Sequence, residues 1–287
     1  PAPTEKPADT IETPDWFWDH KKDAIEAYFQ NNKGILQMAT GTGKTSTGLE
    51  IARQLFLNKR INRLIISPGT GSSLLSQWVD DVYEWTSNIS TDFRIFQCIG
   101  GVSGVNQSLE FINTDNSINS IIVVSRKAED LRYLLENISK EHTLIIQDEV
   151  HSFGAPGLYG LKDLHKNFKY TLGLSATPDR MYDEEGSQFI IDEIGDVIYE
   201  FPLEQAITSK VLCPFNYHPV PVFLTDEDNV KRKRIITAYE SQKNTPTPMS
   251  LKDRNIQLAR VSGIAETKPM ELGKFFKKNS NLIKNSI

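Results

Sequence analysis

The chain has 287 residues, 39% hydrophobic and 24% charged, with 17 Gly and 14 Pro, which excludes a mini-protein and a collagen-like, coiled-coil or wholly disordered chain. At about 150 residues per domain the length corresponds to nearly two domains. Its 32 basic against 37 acidic side chains give a net charge of -5, so bulk charge announces no nucleic-acid partner, although a local basic stripe can still bind phosphates.

Residues 1–14 carry four prolines among Thr, Glu, Asp and Ala and read as a lead-in or linker. From Asp15 the apolar residues fall at helical spacing, with Ala24, Ile25, Tyr28 and Phe29 on one face, and the helix ends near Asn31, Asn32 and Gly34. Six short apolar runs follow, at Ile35–Ala39, Leu64–Ser67, Phe93–Ile99, Ser120–Ser125, Thr143–Asp148 and Thr171–Ser175, each the length of a buried strand. Helix-period segments at Thr45–Leu57, Ser72–Trp85 and Lys127–Ile138 lie between several of them. This alternation predicts an α/β fold: a mostly parallel sheet with helices on both faces. Ligands in such sheets bind beyond the carboxyl ends of the strands.

After Ser175 the pattern turns to a polar stretch, Asp183 to Gly186, then a short helix over Leu203–Ser209 and an extended segment over Phe215–Leu224. Residues 226–287 are polar and mainly helical, with too few apolar positions to close a core of their own. Cys98 and Cys213 have no zinc or disulfide spacing, which fits a reducing compartment. No apolar run approaches the roughly 18 residues that cross a bilayer, and the start lacks a signal-peptide pattern; a cytoplasmic protein without a membrane partner is expected.

The run Met38-Ala39-Thr40-Gly41-Thr42-Gly43-Lys44-Thr45-Ser46 stands between a strand and a helix. Glycines there let several backbone N–H groups converge on one phosphate, the helix N-terminus adds positive potential, and Lys44 reaches the terminal phosphates. Thr45 is the expected magnesium ligand. The strict phosphate-loop pattern has Gly where this chain has Met38, but the turn-forming Gly41 and Gly43 remain. A Gly-Lys-Thr can also sit in an ordinary surface turn; the strand before it and the helix after it favour the phosphate loop.

A second apolar strand, Leu144 to Gln147, delivers Asp148-Glu149-Val150-His151. One carboxylate suffices to hold Mg²⁺ and a second to orient and deprotonate an attacking water. Alone, an Asp-Glu at a strand end often only faces solvent. A third strand ends in Ser175-Ala176-Thr177-Pro178, which by itself reads as a turn whose hydroxyls satisfy the backbone.

Together and in this order the three elements resemble a superfamily 2 helicase or translocase of the DEAD/DEAH-box type, here with the letters Asp-Glu-Val-His, and specifically its first RecA-like domain. The likeness is to bacterial and phage members tied to restriction or repair, and spans residue 15 to about 225. It implies a RecA-like domain over 15–210 followed, over 211–287, by a connector and the incomplete start of a second such domain. The implied cofactors are ATP and Mg²⁺. Lys44 and the loop from Thr40 to Ser46 would take the phosphates, Thr45 and Asp148 the metal, and Glu149 the proton of water. His151, Ser175 and Thr177 would couple nucleotide state to the grip on nucleic acid. Pro68, Gln77 and Ser125 fall in segments that face the sugar-phosphate backbone in the family, with packing or capping an equal alternative for each. The implied partner is DNA, single- or double-stranded, with RNA open.

Two departures stand out. Where the family often places an adenine-reading Gln, this chain has Lys21, which lacks the paired donor and acceptor; His20 beside it is a candidate to stack on the base, and Trp16, Phe17 and Trp18 read as a packing cluster. No Gly-Arg pair of the kind that supplies arginines from the second domain occurs in the sequence. Such arginines contribute on the order of 10³ to 10⁵ in rate, so they are expected from a second RecA-like domain or a partner subunit. The leading expectation is a DNA helicase or translocase motor domain; the alternative is a nucleotide-gated module that binds DNA or protein without moving. A small-molecule kinase finds no lid arginines in the sequence. Lys231 to Arg234 and the lysine-rich end from Lys268 could touch phosphates, though charge runs are more often solvated helix faces.

Overall fold

The computed structural model describes residues 18–69, 72–89, 91–98, 101–114, 118–181, 183–243 and 245–280, without the side chains of Ser72 and Lys252. The lead-in over 1–14, Trp16 and Phe17, and the last part of the lysine-rich end lie outside the described residues. The chain divides into two compact units, Pro1–Pro214 and Phe215–Ile287.

The first unit is built on seven parallel strands: β1 (Lys33–Met38), β2 (Arg63–Ser67), β3 (Phe93–Cys98), β4 (Asn119–Val124), β5 (Thr143–Asp148), β6 (Tyr170–Ser175) and β7 (Val197–Phe201), in the order β3-β4-β2-β5-β6-β1-β7. Parallel neighbours require crossover connections, and these are helical. Helices α1 (Asp19–Asn31), α2 (Lys44–Leu57) and α3 (Ser72–Ser87) cover one face. Helices α4 (Val102–Thr114), α5 (Ala128–Glu136) and α6 (Glu184–Ile194), with three short 3₁₀ turns between Val150 and Asn167, cover the other. A short helix α7 (Leu203–Thr208) follows β7.

Two apolar cores result, one on each face. Tyr28, Ile51, Leu55 and Trp78 pack on Leu36, Leu144, Ile146 and Leu174; Val105, Leu109, Leu134, Phe153, Phe168 and Ile190 pack on Ile35, Ile65 and Ile145. Because side chains alternate along a strand, Leu144, Ile146 and then Asp148 point toward α2 and α3. Ile145 and Gln147 point the other way. On β6 the same rule sends Ser175 to the face of the 3₁₀ turns. Alternation thus sorts the ends of the strands into two chemically different sides.

The predicted strands and helices of this unit are present, most with ends displaced by one or two residues. Three elements go beyond the sequence reading. Helix α4 buries Val105, Leu109 and Ile112 at a helical spacing the sequence does display. Helix α6 begins in the stretch read only as polar, because Asp183 accepts a hydrogen bond from the Gly186 amide as its N-cap. Strand β7 is an edge strand whose first four residues are only partly buried or exposed, so it lacks the alternation that marks a strand. Among the described residues no helix is long and apolar enough to cross a membrane.

The second unit contains α8 (Asp226–Gln242), α9 (Leu251–Gly263) and α10 (Thr267–Lys278), and no strand among its described residues. The Phe215–Leu224 segment, expected as extended, pairs with no strand. Helix α8 opens with a capping box between Thr225 and Asp228. Only Asp228 and Ala265 are buried among the unit's described residues. Lys231, Lys233 and Arg234 are exposed, Lys231 lying 3.8 Å from Asp228.

Candidate nucleotide-binding site

The carboxyl ends of β1, β5 and β6 lie side by side in the sheet, and each ends in one of the three motifs. From β1 the chain runs through Thr40 and Gly41, both exposed, to Gly43, the left-handed N-cap of α2 at φ 89°. Gly43 has a second reason to lack a side chain: a Cβ there would come within 2.5 Å of Lys21 Cε. Thr42 is buried and ties the loop to itself, its hydroxyl donating to Ala39 O at 2.7 Å. Ser46 Oγ donates to Gly43 O at 2.9 Å. Lys44 Nζ donates to Met38 O at 3.1 Å and Ala39 O at 3.4 Å, which holds the ammonium across the loop. Burial lowers its pKa while the facing Glu149 and Asp148 charges raise it, so the cation lies in the field of both motif carboxylates.

Asp148 is buried at the end of β5, with Oδ2 accepting from Trp78 Nε1 at 2.8 Å and Oδ1 accepting from the Glu149 amide at 2.9 Å. The Glu149 backbone is left-handed, φ 45° and ψ 53°, which costs an ordinary residue roughly 1–2 kcal/mol. That turn carries its side chain past Gly69, where a Cβ would stand only 3.1 Å from Glu149 Cβ. His151 Nδ1 lies 3.3 Å from Glu149 Oε2 and 3.3 Å from Ser175 Oγ, so one imidazole bridges the second and third motifs. Ser175 is buried and its Oγ also accepts from the Thr177 amide at 3.2 Å, while the Thr177 side chain is exposed. Arg180 Nη1 donates to His151 O at 2.6 Å and its Nε to Asp183 at 2.8 Å, which fixes the segment after the acidic pair against the start of α6.

His20 takes a different place from the one expected. It is buried, its Nε2 is 2.9 Å from Thr42 O, and its ring stacks on Phe201 at 4.2 Å and 6°. Burial lowers its pKa, so the neutral ring donates to the loop carbonyl from behind with one face on Phe201. Lys21 Nζ donates to Ser46 Oγ at 2.9 Å and lies 4.9 Å from the Trp18 ring centroid, which sets it against the flank of the phosphate loop.

The three residues expected on the nucleic-acid side separate. Pro68 is buried and presents no contact surface. Ser125 is half-buried, with its hydroxyl 3.3 Å from Asp130 Oδ2 in the first turn of α5. Gln77 is exposed and lines a cleft with Gly43, Thr45, Ser46 and Glu50, on the phosphate-loop side. Gly69, Arg126 and the hydrogen bond from Trp78 to Asp148 are what sequence reasoning missed.

The donor set fits a nucleotide with magnesium. Among the described residues no cluster of three or more His, Cys, Asp or Glu could hold a metal by itself. One hydroxyl, Thr45, and one carboxylate, Asp148, would make the sparse protein share that suits a Mg²⁺ ion, which takes few protein ligands. Left-handed glycines at a helix N-terminus supply the phosphate side.

Residues 16–180, more than half of the chain, match the family described as type III restriction enzyme, res subunit. The chain is 24% identical over 238 residues to the DNA 3'-5' translocase XPB2 of Sulfurisphaera tokodaii, covering 83% of this chain and 47% of the relative. To the DNA 3'-5' helicase XPB of Kineococcus radiotolerans it is 25% identical over 257 residues, 89% of this chain and 42% of the relative. It therefore spans less than half the length of these curated relatives. Among solved structures, the nuclease-deletion mutant of the type ISP restriction-modification enzyme LlaGI in complex with a DNA substrate mimic superposes with a TM-score of 0.51 at 18% identity, covering 82% of this chain and 23% of that one. The ATP-dependent type ISP enzyme LlaBIII bound to DNA gives 0.51 at 17% identity, covering 88% and 22%. These two likenesses establish the fold.

Proposed function

For a chain that belongs to the family of the type III restriction enzyme res subunit, we propose that residues 18–214 are the ATP-binding motor domain of a DNA helicase or translocase. The observation that carries this reading is that the ends of β1 and β5, on either side of β6, bring Lys44 into the field of Asp148 and Glu149, with His151 Nδ1 3.3 Å from both Glu149 Oε2 and Ser175 Oγ. Lys44 and the loop amides from Thr40 to Ser46 would hold the β and γ phosphates of ATP, and Thr45 and Asp148 would hold Mg²⁺. Bound there, the metal would supply charge neutralisation on the transferring phosphoryl group. Glu149 orients a water and accepts its proton. His151 touches both Glu149 and Ser175, so a change at the γ-phosphate is felt at the Ser175–Thr177 turn. DNA is the partner favoured by the relatives' names; the cytoplasm is the compartment that such a function implies.

Residues 215–287 are the connector and the start of a second RecA-like domain, and the arginines that complete the γ-phosphate site come from such a domain or from a partner subunit. Without them the chain binds ATP and hydrolyses it slowly. The absence of a Gly-Arg pair in the sequence also favours a second reading for this chain alone, a nucleotide-gated module that grips DNA or protein without translocating. The test is ATP binding and hydrolysis with and without duplex DNA, single-stranded DNA and RNA. Binding that requires Lys44, and hydrolysis that DNA stimulates, support the motor reading; nucleotide-dependent DNA binding without stimulated hydrolysis favours the gated module. A chain that binds no ATP refutes both.

A further inference from the structure

Beneath the turn that carries Asp148 and Glu149 lies the guanidinium of Arg126, which none of the roles above uses. The residue follows β4 and is 9% exposed. Its Nη2 donates to Ser67 O at 2.7 Å and to Asp148 O, and its Nη1 to Glu149 O at 3.1 Å and to Ser152 Oγ. Ser67 ends β2 and Asp148 ends β5, two strands that are neighbours in the sheet. One planar cation rooted beyond β4 thus fastens both strand ends and the turn after the second.

Burying a guanidinium is costly, and desolvation draws the Arg126 pKa down to about 10 against the opposing pull of Asp148 and Glu149. It is still charged at neutral pH. A buried cation persists where its donors meet matched acceptors; here both terminal nitrogens do so, at the ends of β2 and β5 and in the strained turn that follows, while the buried Nε meets no acceptor among the described residues. The Glu149 carbonyl receives the Ser152 amide at 2.9 Å, the Ser152 hydroxyl at 3.0 Å and Arg126. Its left-handed backbone is what sends the Glu149 side chain past Gly69 instead of along the strand.

We propose that Arg126 is a positioning residue that sets the Asp148–Glu149 turn for magnesium and the attacking water, and that it acts through backbone carbonyls without touching nucleotide. The proposal rests on the nucleotide reading of the site. Lysine in its place keeps the charge but has no fork to span three carbonyls.

The experiment titrates a fluorescent ATP analogue into the wild-type chain, Arg126→Lys and Ser152→Ala, with and without Mg²⁺, and follows thermal unfolding of each. The magnesium-dependent gain in affinity should fall about 10-fold or more in Arg126→Lys, the size typical when a residue supporting a metal ligand is removed. Magnesium-free binding, which rests on Lys44 and the loop amides, should hold. Ser152→Ala, which keeps the arginine and removes one partner of the same turn, should show the same split to a smaller degree. Equal loss of both affinities in step with the melting temperature, or no loss in either variant, overturns the proposal. If Arg126→Lys does not fold, the split in Ser152→Ala decides. A wild-type chain with no magnesium-dependent binding instead brings down the nucleotide reading itself.

Discussion

The indole Nε1 of Trp78 donates to Asp148 Oδ2 over 2.8 Å, joining two residues 70 positions apart in the sequence. Trp78 is otherwise a core residue, 2% exposed on the face of α3 that packs on the sheet. One side chain therefore belongs both to the core and to the orientation of the proposed magnesium carboxylate, with the Asp148 oxygens held by Trp78 and by the Glu149 amide. Trp78→Phe keeps most of the apolar volume and leaves Oδ2 without its donor. A hydrogen bond to a charged group contributes roughly 1.5–3 kcal/mol, so the variant should lose stability of that order in denaturant unfolding. It should also need more Mg²⁺ to reach half-maximal nucleotide binding. An unchanged magnesium requirement would show that the indole only fills space.

His20 supports the loop from behind, through Thr42 O and a stacked Phe201. His20→Phe keeps an aromatic ring for the stack and removes the donor, so the phosphate loop should loosen by about 1 kcal/mol, the net worth of one hydrogen bond. The loss should weaken ATP and GTP binding by the same factor, measured by competition against a fluorescent analogue. A selective loss of ATP would place the ring against the base after all.

The two sides of the sheet were readable in advance to different depths. The three motif ends follow from apolar runs punctuated by Gly-Lys-Thr, Asp-Glu and Ser-Ala-Thr, because β1, β5 and β6 are largely buried on both faces and need no partner to be recognised. The edge strand β7 was not legible, since the exposed Glu200 and three half-buried positions before it dilute its pattern. In the site, Lys44, Asp148 and Glu149 announce themselves through local sequence. What aims them does not: Trp78, Gly69 and Arg126 act across long sequence separations, and their residue types have ordinary explanations where they stand. For His20, likewise, the sequence does not show the contacts of its ring with the Thr42 carbonyl and with Phe201.

On the opposite side of β5 from Asp148, His165 is completely buried, with its Nε2 2.9 Å from Gln147 Nε2. Its Nδ1 is 3.8 Å from Glu193 Oε2, too long for a hydrogen bond, and that carboxylate instead accepts the amides of Asp163 and His165 at 2.5 and 2.9 Å. Desolvation, with Arg126 nearby, lowers the His165 pKa from 6.5 to about 3. The folded state therefore stays neutral there while the unfolded chain takes up a proton, so stability is complete above pH 6.5 and falls as the pH drops toward about 3. The slope contributed is on the order of 1 kcal/mol per pH unit. His20, lowered by burial as well, adds in the same direction. His165→Gln should flatten the fall in unfolding free energy between pH 6.5 and pH 5, measured by denaturant titration at several pH values; parallel curves for the two proteins would exclude His165 as the source.

Lys44 lies in the field of Glu149 at the proposed phosphate site, and their roles separate by substitution. Glu149→Gln preserves the size of the side chain and the left-handed turn held by Arg126 and Ser152, yet the amide cannot accept a proton from water. Loss of a general base costs about 10²–10⁴ in rate. DNA-stimulated phosphate release should fall by that order while ATP analogue affinity is kept. Lys44→Ala should instead abolish measurable binding, because the loop amides alone do not neutralise the terminal phosphates. His151, 3.3 Å from both Glu149 and Ser175, gives a third pattern: His151→Ala leaves ATP binding intact and reduces the stimulation by DNA more than the basal rate. If Glu149→Gln hydrolyses ATP as fast as the wild type, the base lies elsewhere and the acidic turn has only its metal to serve.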